Sequence, residues 1–182
     1  MYGMVNRAIQ QMVIRDHGEE SWEAIKLKAN ITEDLFLSNS SYPDRITYDL
    51  VSASSEHLEV DAQLILIEFG KFWVLDTALK GYGGLMRAGG NNLKEFLLNL
   101  PNFHTRVSMV FPNLIPPTFE VRNITDHSLD LHYITHRPGL QNFVIGLILG
   151  LSTMYKIETE TKLIATRDSE EGNGADIFHI SW

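Results

Sequence analysis

Seven histidines and no cysteine set the metal and nucleophile chemistry open to this chain. Without thiolates, cysteine nucleophiles, CxxC redox pairs and sulfur-based zinc sites are excluded. His132 and His136 are four apart, a spacing that brings two imidazoles onto one helix face, yet the local period is two and Pro138 follows, so a zinc pair is not expected. His17, His57 and His127 fall among polar neighbours and read as solvated, and His179, beside apolar residues, reads as structural. His104 differs. Leu100, His104, Val107 and Phe111 share one helix face, continuing the stripe of Leu93, Phe96 and Leu97, so the imidazole faces the core. Spacing alone leaves two readings, a satisfied core histidine or an axial ligand of the kind that holds haem iron from its proximal side.

A second constellation is Tyr133, Thr135 and Arg137, at spacing two. On an extended strand they share a face, joining two hydroxyls to a guanidinium fork that suits carboxylates or phosphates. An ordinary polar sheet face, with Arg137 paired to a surface carboxylate, is the commoner meaning of that spacing alone. Taken together, one buried imidazole and one carboxylate clamp are what a porphyrin with two propionates requires.

These residues need helices first and strands after them. Helical spacing covers residues 3 to 17 and 20 to 29 around Gly18, then Asp44 to His57, then Asp61 to Leu79, which is apolar almost all round and therefore expected to be buried. The run GYGGLMRAGGNN, residues 81 to 92, lacks both GxGxxG and GxxxxGK[ST] and reads as a turn. Helical spacing resumes after Asn92; Pro101 fits if one helix ends near Asn99 and the next carries proline in its first turn. Pro112, Pro116 and Pro117 stop that helix. Strands follow around Phe119 and Val121 and from Leu129 to Tyr133, then a helix from Leu140 to Tyr155. Two last strands, 156 to 165 and 176 to 182, flank the polar turn DSEEGNGAD. The expected fold is α+β, a helical N-terminal half followed by an antiparallel sheet with one inserted helix.

Composition narrows the partners. With 15 basic against 23 acidic residues the net charge is -8, which argues against a phosphate-tracking surface and hence against nucleic acid. Phe143 to Leu151, the longest apolar candidate, is broken by Gly146 and Gly150 and falls short of a membrane span. The N-terminus enters an amphipathic pattern, with no secretory signal, so a soluble, cytoplasmic protein is expected, and the sequons at Asn30, Asn39 and Asn123 read as chance matches.

The segments MYGMVNRAI at the start, SWEAIK at 21 to 26, TYDLV at 47 to 51, NFHTRV at 102 to 107, PPTFE at 116 to 120 and HYITHRPGL at 132 to 140 together resemble the H-NOX family. These are haem domains that sense nitric oxide or oxygen and include the N-terminal domain of the soluble guanylate cyclase beta subunit. The resemblance runs over the whole chain. It implies a single haem-binding domain over 1 to 182, with distal-side helices in 1 to 60 and the remaining helices, the sheet and the proximal ligand in 61 to 182, and haem buried between helices and sheet. It further implies a non-covalent b-type haem with His104 on the iron, Tyr133, Thr135 and Arg137 on the propionates, and Met1, Val5, Trp73, Pro117 and Phe143 around the ring. Threonine stands at 135 where the family usually has serine, keeping a hydroxyl. Pro101, three residues before the ligand, is less usual there. Phe143 aligns with the position where oxygen-binding members carry a tyrosine, so nitric oxide and carbon monoxide are the expected ligands and oxygen is excluded. Tyr2 and Trp73 remain as other sources of a distal donor. The expected role is that of a sensor, not an enzyme, whose signal passes by loss of the iron–histidine bond to a separate histidine kinase or cyclic-nucleotide signalling enzyme. An oxygen-binding haem protein, a haem enzyme and a haem-free small-molecule module are the competing readings.

Overall fold

The computed structural model describes residues 1–111 and 114–182; the helix stop expected at Pro112 lies outside the described residues. Helix α1 (Gly3–Lys28) is broken at Gly18, whose φ of 84° suits glycine, so its two halves match the two expected helices. Helix α2 (Asp44–Leu58) ends on Glu59 in the left-handed conformation. Helix α3 (Ala62–Phe72) is capped by Asp61, whose carboxylate accepts the Gln63 backbone N–H.

At Trp73 the expected long helix changes character. Residues Trp73–Ala78 are π-helical, and helix α4 (Leu79–Arg87) follows, irregular at Tyr82. This corrects the reading of 81 to 92 as a turn: the run is helical to Arg87. Burial of Met86 and the edge contact of Tyr82 with Phe111, ring centres 5.8 Å apart, outweigh the low helix propensity of three glycines.

Helix α5 (Leu93–Leu98) opens with a reciprocal cap in which the Asn92 side chain accepts the Glu95 N–H at 2.9 Å and the Glu95 carboxylate accepts from Asn91 and Asn92. Helix α6 (Leu100–Val110) carries Pro101 in its first turn, where the missing N–H costs nothing. Strands β1 (Thr118–Arg122) and β2 (Ser128–Ile134), helix α7 (Gln141–Tyr155), and strands β3 (Glu160–Ala165) and β4 (Asp176–Ser181) complete the chain. The sheet is antiparallel in the order β1-β2-β4-β3, with Tyr133 opposite Phe119 on one side and Asp176 on the other. The α+β architecture is therefore as expected.

Phe119, Leu129, Leu131, Tyr133, Phe178 and Ile180 form the inner face of the sheet. Asp130, of opposite parity, is also buried and accepts from His179 Nδ1 at 2.7 Å, which gives His179 a structural partner. The buried apolar residues divide into two clusters, one across α1, α2 and α3, the other joining the π-helical turn, α5, α7 and the inner sheet face. Leu66 and Phe143 pack against both.

Candidate functional site

Where the two clusters meet lies an apolar cavity of about 260 Å³, just below the volumes usual for cofactor pockets, about 300–1,000 Å³. Met1, Val5, Trp73, His104, Pro117, Tyr133, Arg137 and Phe143 all line it. Thr135 does not.

His104 sits one turn into α6, held between the rings of Phe119, centre 5.0 Å away, and Phe103, 5.5 Å away. Its Nδ1 lies 3.0 Å from the Leu100 carbonyl oxygen. A carbonyl can only accept, so Nδ1 carries the proton and Nε2 keeps its lone pair. Burial lowers the imidazole pKa, against a smaller opposing effect of the Leu100 carbonyl, which keeps the ring neutral. No described residue hydrogen-bonds Nε2. The sequence left His104 between core residue and ligand; the geometry is that of a neutral imidazole on a cavity wall with one nitrogen uncommitted.

Tyr133 continues the row of rings, 5.4 Å from Phe119. Burial raises the pKa of its phenol, a shift that the hydrogen bond with Thr135 and the nearby Arg167 and Arg137 guanidinium groups oppose in part. The expected three-residue strand face is corrected here, because β2 ends at Ile134. Thr135 and Arg137 lie in the connection to α7, and the Thr135 hydroxyl accepts the Arg137 backbone N–H at 3.1 Å. Arg137 itself reaches across to α2: Nε donates to Asp44 at 2.8 Å, and Nη1 donates to the Ile115 carbonyl at 3.1 Å. The ammonium of Met1 also pairs with Asp44. Burial pushes the Asp44 carboxyl up, but the N-terminus and Arg137 together hold it below the usual range.

Two cations at the cavity edge thus converge on one carboxylate, a donor set that suits acid groups. Apolar walls, an imidazole with a free nitrogen and this cationic edge fit a haem with its propionates.

Asp44 and Tyr48, both on α2, escaped the sequence reading. The spacing of α2 showed only its apolar face, although an acidic residue in a first helical turn is a recognisable signal. Tyr48 lines the cavity and donates its hydroxyl to the Pro138 carbonyl at 2.9 Å. Thr47, also on the lining, donates to Asn6 at 2.6 Å. Phe143 lies against Phe69, ring centres 5.0 Å apart. Trp73 is half-buried on the same wall, and Tyr2 is buried against Phe111, ring centres 5.5 Å apart.

Comparison with known proteins agrees with this geometry. Residues 2–163 match the family described as Haem-NO-binding (HNOB). Two soluble guanylate cyclases of Caenorhabditis elegans are similar in sequence: gcy-32, 33% identical over 151 residues, and gcy-34, 35% identical over 153, each alignment covering 81% of this chain and 22% of the relative. The chain therefore spans about a fifth of those relatives. Among solved structures, the Fe(II) unliganded H-NOX protein from K. algicida is similar with a TM-score of 0.81 at 21% identity, over 100% of this chain and 96% of that one. The S. oneidensis H-NOX protein in the Fe(II)NO state is similar with a TM-score of 0.82 at 17% identity, over 99% and 97%. No helix among the described residues is long and apolar enough to cross a membrane.

Proposed function

The chain belongs to the Haem-NO-binding family of haem-based gas sensors related to soluble guanylate cyclase, and from that premise we propose that residues 1 to 182 form one sensing unit holding a non-covalent b-type haem. The observation that carries the reading is His104, neutral, with Nδ1 committed to Leu100 and Nε2 open on the cavity wall. His104 is the iron ligand. Tyr133, Thr135 and Arg137 form the propionate clamp, Tyr133 and Arg137 from the cavity wall and Thr135 through its bond to the Arg137 backbone N–H, with Arg137 exchanging Asp44 for the haem carboxylates, and Met1, Val5, Trp73, Pro117 and Phe143 surround the ring. Helices before residue 61 form the distal side; the rest of the chain supplies the proximal ligand and the sheet.

The haem supplies a ferrous iron that takes nitric oxide or carbon monoxide. Oxygen is excluded because bound oxygen gains from a distal hydrogen-bond donor, and the Thr47 and Tyr48 hydroxyls that line the cavity are already given away, to Asn6 and to the Pro138 carbonyl, while Tyr133 stands in the row of rings that leads through Phe119 to His104. Phe143 has no donor. Of the donors left, the buried, unpartnered Asn6 amide does not line the cavity, whereas Trp73 does, so the exclusion of oxygen requires that its indole N–H point away from the bound gas. Loss of the bond between His104 and the iron frees α6, and the freed helix biases a separate histidine kinase or cyclic-nucleotide signalling enzyme in the cytoplasm. In this reading the unit senses and does not catalyse.

An absorption spectrum of the purified ferrous protein tests this. A Soret band typical of a single histidine ligand, unchanged by air and shifted by nitric oxide to that of haem without its histidine, is expected. A stable oxygen complex would overturn the ligand choice, and no Soret band after haem is added would point to a haem-free small-molecule module instead.

A further inference from the structure

The connection that carries Thr135 and Arg137 lies beyond the end of β2, so neither neighbouring strand satisfies its carbonyls. A second arginine does. Arg167, in the turn just after β3, directs Nη1 to the Thr135 carbonyl at 2.8 Å and to the Arg137 carbonyl at 3.3 Å. The same guanidinium is fixed from behind: Nε donates to Asp176 Oδ2 at 3.1 Å, Nη2 pairs with the same oxygen, and the Arg167 backbone N–H donates to Oδ1 at 3.0 Å. Asp176 is fully buried and takes a further bond from Gln141 Nε2, in the first turn of α7, at 3.2 Å. It stands opposite Tyr133 in the sheet register. A buried carboxylate with partners on both oxygens is a rigid anchor, and burial, which pushes its carboxyl up, is outweighed by Arg167, which holds it below the usual range.

We propose that Arg167, anchored on Asp176, is the positioning residue of the propionate clamp: it fixes the main chain at 135 and 137 so that the Arg137 guanidinium on the cavity edge meets a carboxylate there. The proposal rests on the haem reading above. Arginine is needed because one planar fork must serve a carboxylate and two carbonyls at once, whereas a lysine ammonium is a point donor. Unbraced, the connection exchanges its carbonyls with water and opens locally, and Arg137 loses its fixed approach without itself being altered.

The test uses the haem-loaded full chain with Arg167→Ala, Arg167→Lys, Arg137→Ala and the double variant Arg137→Ala/Arg167→Ala. The readouts are haem transfer to apomyoglobin, the propionate bending band in the resonance Raman spectrum, and thermal unfolding of the haem-free protein. Arg167→Ala should speed haem transfer about tenfold and shift the propionate band, Arg167→Lys should do so less, and the double variant should transfer no faster than Arg137→Ala alone, because both act on one clamp. Rates and band unchanged in both Arg167 variants, or a double variant in which the two effects multiply, would overturn the proposal while leaving the haem reading standing. If Arg167→Ala does not fold, Arg167→Lys carries the test, and failure of both to fold would overturn the positioning role in favour of a folding requirement. An unmutated protein that takes up no haem would overturn the haem reading and this proposal together, and an Arg137→Ala variant that holds haem as tightly would overturn the clamp and this proposal while leaving haem binding through His104 standing.

Discussion

Opposite walls of the cavity are held by different means. On the side of Trp73 and Phe143, α3 and α7 cross at glycines: a methyl on Gly146 would run into the Ile67 carbonyl and the Gly70 Cα, and one on Gly70 into the backbone of Phe143 and Leu147. The backbones touch, and the first turn of α7 is tied through Gln141 to the buried Asp176. On the side of His104, α6 buries only Leu100 among its own residues, and Met109 and Val110 near its end are 77% and 59% exposed. Its hold on the body is made by side chains: Phe103 on Phe96, His104 on Phe119, Phe111 at its end on Tyr2 and Tyr82, and Arg106 donating to the Ala88 carbonyl at 3.2 Å. A wall locked by backbone contact keeps its shape, while one held by a few side chains can shift at low cost. The imidazole is carried by the second, so a change at His104 is more readily passed into movement of α6 than into the pocket itself.

Gly146→Ala should produce the largest effect, because the added methyl meets backbone on two sides: a loss of about 3 kcal/mol in urea unfolding of the haem-free protein. A loss below about 0.5 kcal/mol would mean that α3 and α7 are free to separate, and the contrast between the walls would fall. Asp176 gives a pH-dependent version. Its folded carboxyl lies below the ordinary value, so its stabilisation is complete above about pH 4 and is lost as pH falls through the depressed folded value. The stability gap between the unmutated protein and Asp176→Asn should therefore be constant at neutral pH and narrow as pH falls below about 4 in urea titrations; a gap constant throughout would show that Asp176 acts without its charge. The smallest effect belongs to the loose wall. Met109→Ser should change stability by no more than about 0.5 kcal/mol, and a loss several times larger would show α6 tied down by a surface that its exposure does not suggest.

Much of this arrangement was legible along the chain, and the reasons differ by element. The spacing of Phe143, Val144, Leu147, Ile148 and Leu151 marks α7 because its buried face is determined by local periodicity, and the alternation of Leu129, Leu131 and Tyr133 marks β2 for the same reason. Pro101 was readable because its effect on the backbone is local. The helical course of residues 81 to 87 was not, since it depends on where Met86 is buried rather than on the propensities of the glycines. His104 and Arg137 were identifiable by residue type, but the exit of the chain from β2 after Ile134 separates Thr135 and Arg137 from the strand face that their spacing implied. Partners distant in sequence left no trace in any local pattern: Asp44 meets Arg137 across 93 residues, and Arg167 meets the Thr135 carbonyl across 32.

With haem in place, the loosely held wall is the one proposed to carry the iron ligand, His104. That role is tested most directly by the ferrous absorption spectrum of His104→Gly, recorded with haem present as imidazole is titrated in. A spectrum lacking the histidine-ligated form is expected, restored to that of the unmutated protein as imidazole fills the vacated side chain's place. A His104→Gly spectrum identical to that of the unmutated protein before any imidazole is added would contradict it.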